Sequence, residues 1–166
     1  MNKLGVEELG RLIDRHAAAL ELFARQWTEA AAPDVVQAAF VKLASCPPTN
    51  DQVVPWLYRV VRNGAISAVR SESRRKRHEA IGMESRPDWF VSTPDDQIDA
   101  VEATKALAQL PHSQREVIVA RLWGGLSFQE IADLLEISSS AAHRYYVAGL
   151  TTLRERLGVS WLKNNH

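Results

Sequence analysis

Residues 126–157, LSFQEIADLLEISSSAAHRYYVAGLTTLRERL, constrain the fold more than any other part of the chain. Their apolar positions recur every three or four residues with one interruption, at Glu136-Ile137, so the segment reads as two helices joined by a tight turn. Ser127 predicts an N-cap, with Glu130 three residues on as its capping-box partner. Ile131, Ala132 and Leu135 give the first, short helix its apolar face. Ser138 to Ser140 offer a second N-cap, and Ala142, Tyr146, Leu150, Leu153 and Leu157 form one stripe along a longer second helix. Ser139, Ser140, His143 and Arg144 fall outside that stripe, near the helix end that enters a DNA major groove in helix-turn-helix proteins. Helical hairpins with a polar outer face also serve as plain packing modules, so this segment alone leaves both readings open.

The rest of the chain has the helical period too, and no run alternates as a strand would. Leu9, Leu12, Ile13, His16, Leu20, Phe23 and Trp27 predict a helix over about residues 5–29. Pro33 suits the first turn of a second helix, whose buried face is Val36, Ala39, Phe40 and Leu43. Cys46-Pro-Pro-Thr-Asn-Asp51 stops it in a loop. A third helix is expected from about Val53 to Arg74, with Leu57, Val61, Ala65 and Ala68 on its apolar side. Gly82, Pro87, Pro94 and several acids make 80–97 a linker. Helical pattern resumes to Leu110, breaks at Pro111, runs from Ser113 to Trp123 and turns at Gly124-Gly125 into the helix-turn-helix. The predicted class is all-α, with two small helical domains, 1–79 and 98–166, joined by an acidic linker at 80–97.

Formal net charge is zero across the 166 residues, but its distribution is uneven. Residues 56–80 carry seven Lys/Arg against two Asp/Glu, and 81–104 carry one Arg against six acids. A basic block beside an acidic one suits contact with nucleic acid, although a solvated face has the same composition. Cys46 is the single cysteine, which excludes intrachain disulfides and a cysteine-rich zinc site, and suits a reducing, cytoplasmic setting. The histidines have no His or Cys partner at ligand spacing, so no metal is expected. His16 lies on an apolar stripe and reads as a packed or boundary residue. No cofactor is expected. Gly124-Gly125 lacks the following Lys and Ser/Thr of a phosphate loop, and no G-x-S-x-G is present, so no enzyme is expected. MNKLGVEELGRLI lacks the apolar core of a secretory signal, and no stretch reaches the roughly 20 apolar residues that span a bilayer.

The third helix, WLYRVVRNGAISAVRSESRRKR, mixes Trp56 and Tyr58 with Asn63 and an arginine-rich end. Arginines track phosphates and aromatics stack on unpaired bases, which suits a strand being opened. Trp56 and Tyr58 as core anchors, with solvating arginines, is the alternative.

The order of these motifs resembles the RNA polymerase sigma factors of the extracytoplasmic-function (ECF) group, over about residues 8–157. PDVVQAAFVKL at 33–43 is similar to region 2.2, which grips the polymerase clamp, and WLYRVVRNGAISAVRSESRR at 56–75 to regions 2.3 and 2.4, which melt and read the minus-10 element. ALAQLPHSQREVIVARLWGGLSFQEIADLLEIS at 106–138 resembles region 4.1 and the start of 4.2, and AAHRYYVAGLTTLRERL at 141–157 the helix that reads the minus-35 element. The resemblance implies core polymerase and promoter DNA as partners, with an anti-sigma protein as a further one. It places Asp34, Gln37 and Phe40 at the clamp. Asn63 takes the amide position that helps hold a flipped minus-10 base, with the 45–53 loop as pocket rim; Trp56, Arg59, Arg62, Arg70, Arg74 and Arg75 accompany it. Flipping costs a few kcal/mol, which a preformed pocket and phosphate clamps offset. Ser127, Ser139, Ser140, His143, Arg144 and Tyr145 fall at the minus-35 element.

The chain departs from the family pattern in places. Ala38 stands where an acidic residue commonly follows Gln37, and Ser67 where many relatives have Asp. Glu136 occupies a turn position often held by Gly, and a left-handed non-Gly residue costs roughly 1–2 kcal/mol, so a reshaped turn is expected. Ser139 to Tyr145 lacks the family's frequent Thr-Val-Lys-Ser-Arg run, so no promoter sequence carries over. The tether, with Asp88, Trp89, Asp95 and Asp96, takes the place of the linker that threads towards the active centre, where negative charge mimics RNA; a flexible spacer has the same composition. Two other functions fit parts of this pattern: a stand-alone helix-turn-helix regulator indifferent to Asp34 and Gln37, and a helical protein-interaction module.

Overall fold

The computed structural model describes residues 4–78 and 97–157, and side chains at 78 and 97–102 are excepted. All regular structure among the described residues is helical. The chain divides into two compact units, and among the described residues the first holds three helices and the second four. The tether expected at 80–97 falls outside the described residues except for Gln97, which opens a helix.

In the first unit, α1 spans Val6–Ala24, α2 Ala32–Ser45 and α3 Val53–His78, and each packs on the other two. Glu7 and Glu8 in the first turn of α1 complement its dipole. Full burial is confined to its second half, at Ala19, Leu20, Leu22, Phe23 and Ala24; Leu9 and Leu12 are half-buried, and Val6 and Ile13 are exposed. The helix also ends five residues before the expected 29. After Ala24 the chain tightens, with Gln26 N–H donating to Phe23 O at 3.3 Å and Trp27 N–H to Ala24 O at 3.1 Å. Thr28 Oγ1 then accepts from Ala31 N–H at 3.3 Å, which turns the chain into α2. Trp27 therefore meets the core from a turn, its ring 5.2 Å from that of Phe23.

Pro33 lies in the first turn of α2, and Ala32, Val36, Ala39, Phe40 and Leu43 are its buried face. Helix α3 buries Leu57, Tyr58, Val61 and Ala65 and then continues to His78, four residues beyond the expected end. No residue of α3 after Ala65 is fully buried among those described. At Gly64 the Val35 side chain packs against the α3 backbone: a Cβ there would lie 3.0 Å from Val35 Cγ1.

In the second unit, α4 spans Gln97–Ala108, α5 His112–Leu122, α6 Phe128–Leu135 and α7 Ser139–Leu157. Pro111 ends the α4 segment and caps α5, since its ring cannot continue the preceding hydrogen-bond ladder. Helix α7 packs on all three others. Ala106, Leu107, Leu110, Ile118 and Leu153 form the core, with Leu122, Tyr146, Leu150 and Leu157 packed against it. The stripe read on α7 is thus present, with Gly149 added: a Cβ at that position would stand 2.4 Å from Ile118 Cδ1. Between α5 and α6, Gly125 takes φ 66°, and Leu126 N–H donates to Ala120 O at 3.2 Å.

Candidate nucleic-acid interface

The helix-turn-helix is built by local chemistry that its sequence announces. Ser127 Oγ accepts from Glu130 N–H at 3.1 Å, and Glu130 Oε2 accepts from Ser127 N–H at 2.7 Å, closing the capping box at the start of α6. Ile131, Ala132 and Leu134 are buried; Leu135, expected inside, is half-buried because Leu134 takes the inner position. Glu136 ends α6 at φ 56° and ψ 44°, with Ile137 N–H donating to Ala132 O at 3.0 Å. The expected reshaping of this turn does not occur. The glutamate adopts the left-handed geometry itself, because the helix ends it joins are held by packing on both sides. Ser138 Oγ accepts from Ala141 N–H at 3.0 Å and caps α7.

Helix α7 has two faces. Ala141, Ala142, Gly149 and Leu153 are buried, while Ser139, Ser140, His143, Arg144, Val147, Ala148 and Thr151 are exposed. Of the residues expected at the minus-35 element, Ser139, Ser140, His143 and Arg144 share this outer face, and Tyr145 sits half-buried at its edge. Ser127 lies apart from it, at the start of α6, with its hydroxyl engaged in the cap. Val147, 46% exposed, extends the face by one turn from His143. Val147 is no part of the apolar stripe on α7, and its i+3 and i+4 spacing from Arg144 and His143 is the sequence signal for its place on this face.

Behind this face is a ring cluster. The guanidinium carbon of Arg121 lies 4.7 Å from the Phe128 ring centroid, and Arg121 also donates to Leu126 O at 2.8 Å. The same ring meets His143 at 5.1 Å and Tyr146 at 5.4 Å, both edge to face.

In the first unit, Arg59, Asn63, Ser67, Arg70 and Arg74 are all exposed at spacings of three or four on α3. They form one row, about 22 Å long at 1.5 Å per residue. Ser67 therefore stands in line with Asn63 and the arginines. Two arginines expected with them do not join the row. The Arg62 guanidinium lies 5.8 Å from the Trp27 ring centroid, and Arg75 lines a groove of about 470 Å³ with Thr28, Asp34, Ala68, Ser71 and Glu72. Trp56 is half-buried at the start of α3. Tyr58 is fully buried, its ring 4.9 Å from Phe23, so it is a core anchor and not a stacking platform. Burial raises the pKa of its hydroxyl, which has no protein partner among the described residues.

On α2, Asp34 and Gln37 are exposed one turn apart. Phe40, expected to contact the clamp with them, is 6% exposed and points into the core. The reason is periodicity: Phe40 continues the Val36–Leu43 stripe, and the outward position one turn on from Gln37 is Val41, 61% exposed. Ala38 is exposed beside it. Cys46, at the start of the 46–52 loop, is an exposed free thiol. His16 is half-buried on α1; burial first, and then Arg15, lower its pKa. Among the described residues no three His, Cys, Asp or Glu side chains gather as a metal site, and no helix is long and apolar enough to cross a membrane.

Both units match known families. Sigma-70 region 2 matches residues 6–75, and sigma-70 region 4 matches residues 100–153. The chain is 32% identical over 157 residues to the RNA polymerase sigma factor CarQ of Myxococcus xanthus, covering 89% of this chain and 87% of that one. It is 27% identical over 105 residues to the ECF RNA polymerase sigma factor RpoE of Cereibacter sphaeroides, covering 63% of this chain and 58% of that one. The fold is similar to that of the sigma factor RpoE of Bartonella quintana, solved in complex with the anti-sigma factor NepR, with a TM-score of 0.73 at 22% identity. That likeness covers 93% of this chain and 99% of the other. The two matched regions, the order of their motifs and these relatives together mean that the chain belongs to the ECF group of RNA polymerase sigma factors, which act in transcription initiation.

Proposed function

We propose a division of labour among three helix faces of this sigma factor. The outer face of α2, with Asp34, Gln37, Ala38 and Val41, docks on the polymerase clamp, and Phe40 seats that helix from inside. The α3 row of Arg59, Asn63, Ser67, Arg70 and Arg74 holds the opened minus-10 strand, with Asn63 at the flipped base and the arginines on phosphates. The outer face of α7 reads the minus-35 element in the major groove. Trp56 borders the minus-10 surface, and Arg62 and Arg75 act from its margins. The factor performs no catalysis itself and works in the cytoplasm beside polymerase and DNA. An anti-sigma protein is a further partner, as for the Bartonella protein.

The observation that carries this reading is the α3 row, a polar and cationic line that runs from the packed first half of the helix along its exposed second half. It is tested in reconstituted holoenzyme on duplex promoters and on promoters carrying a pre-opened bubble. Asn63→Ala is expected to impair opening of the duplex while leaving polymerase binding intact. Arg144→Ala is expected to weaken upstream recognition and leave initiation from the bubble unchanged. Equal losses for both variants in both assays refute the division.

A further inference from the structure

We propose that Phe128 is a positioning residue for base reading: its ring fixes the imidazole of His143 so that an N–H of that imidazole is presented to a purine N7 in the upstream element. The inference rests on the reading of the α7 outer face as the minus-35 surface, and adds to it how one side chain there is aimed and what it recognises.

Phe128 opens α6 and is half-buried, yet its ring is held from two sides besides His143. The Arg121 guanidinium lies 4.7 Å from the ring centroid and is itself anchored by its hydrogen bond to Leu126 O at 2.8 Å. Tyr146, on the packed side of α7, meets the ring at 5.4 Å and 67°. These contacts tie the ring to α5 and to α7, so it is a fixed platform rather than a mobile surface aromatic. His143 then lies against it at 5.1 Å with an interplanar angle of 76°.

His143 is otherwise exposed, in the second turn of α7. An exposed side chain of this kind exchanges rotamers in picoseconds to nanoseconds, and base reading needs one of them. An edge-to-face aromatic contact weights the held rotamer roughly 2- to 10-fold over the others. A neutral imidazole has one donor nitrogen and one acceptor nitrogen. Purines show an N7 acceptor in the major groove and pyrimidines do not, so a held N–H separates purine from pyrimidine at one position. Arg144, next along the chain, has no such brace among the described contacts and reaches phosphate or base through its own length.

The test is selection of initiating promoters by full-length holoenzyme from a pool randomised over the upstream element. The variants are Phe128→Leu, Phe128→Met, Phe128→Tyr, His143→Ala and Phe128→Leu with His143→Ala. His143→Ala is expected to abolish a purine preference at one base pair. Phe128→Leu and Phe128→Met should weaken that same preference roughly 2- to 10-fold and leave other positions unchanged, while Phe128→Tyr retains it. The double variant should match His143→Ala alone. A uniform loss of preference at every position in the Phe128 variants would mean that the ring only supports the fold, and would overturn the proposal. So would a Phe128 effect that persists undiminished without His143, or no Phe128 effect where His143→Ala has one. If His143→Ala leaves every base preference intact, His143 does not read bases, and the surface assignment for that residue falls with the proposal.

Discussion

Gly149→Ala sets two effects of similar size against each other. In an isolated helix the change would stabilise by about 1 kcal/mol, because alanine has the higher helix propensity. Here the new Cβ would stand 2.4 Å from Ile118 Cδ1, 3.3 Å from Ile118 Cγ1 and 3.5 Å from Gln114 Cβ. Ile118 is fully buried, so its methyl has little room to withdraw. Overpacking of this kind costs about 1–3 kcal/mol, which equals or exceeds the propensity gain. The expected net effect is a loss of up to about 2 kcal/mol. Ile118→Val removes the clashing Cδ1 and alone costs about 0.5–1.5 kcal/mol. With Cδ1 gone, the alanine methyl fills the vacated space and the propensity gain returns. The double variant should therefore be close to wild type, with a favourable coupling of about 1–3 kcal/mol. Hydrogen exchange of the α5 and α7 amides in the full chain reports this directly, since these helices share the contact. Gly149→Ala more protected than wild type by the propensity alone, or no relief from Ile118→Val, would refute the argument. The contact bears on function because α5 sets how α7 lies, and α7 carries the reading face.

Glu136→Gly should stabilise the second unit by about 1 kcal/mol in denaturant unfolding, because it removes left-handed strain at φ 56°; no gain would mean the turn is unstrained. Tyr58→Phe should raise the thermal midpoint, gaining about 1 kcal/mol from the loss of an unpaired buried hydroxyl. A clear loss would mean the hydroxyl is bonded. His16 has a folded pKa below its ordinary 6.5, so its stabilising contribution is complete above that value and is lost as pH falls from there through the folded pKa. His16→Gln should flatten that part of the stability–pH curve, and an unchanged slope would assign it to other groups.

The parts of this structure that sequence discloses are those set by local period and local capping. Val36, Ala39, Phe40 and Leu43 could be read as a buried face because their spacing admits one side of a helix, and Ser127 with Glu130 because a capping box is complete within four residues. Positions decided by a partner distant in the chain were not legible. Helix α1 stops at Ala24 because the turn to α2 takes over its last hydrogen bonds, while its apolar spacing continues to Trp27. The motif around Phe40 suggests a contact surface, whereas its own stripe puts it inside. Arg62 counts as a phosphate clamp by charge, and only the folded chain brings Trp27 beneath it. The closeness of Gly149 to Ile118 and the hold of Arg121 and Tyr146 on Phe128 likewise depend on how α5, α6 and α7 meet.

Reconstitution of the purified chain with core RNA polymerase on a randomised promoter pool decides whether it is a promoter-specificity factor. Core enzyme alone should be silent, and added factor should direct initiation from promoters sharing an upstream and a minus-10 element. Exchanging Asp34 and Gln37 for alanine should lower both polymerase binding and transcript yield. Tight operator binding by the chain alone, with no transcript from any promoter and no dependence on Asp34 or Gln37, would contradict that role.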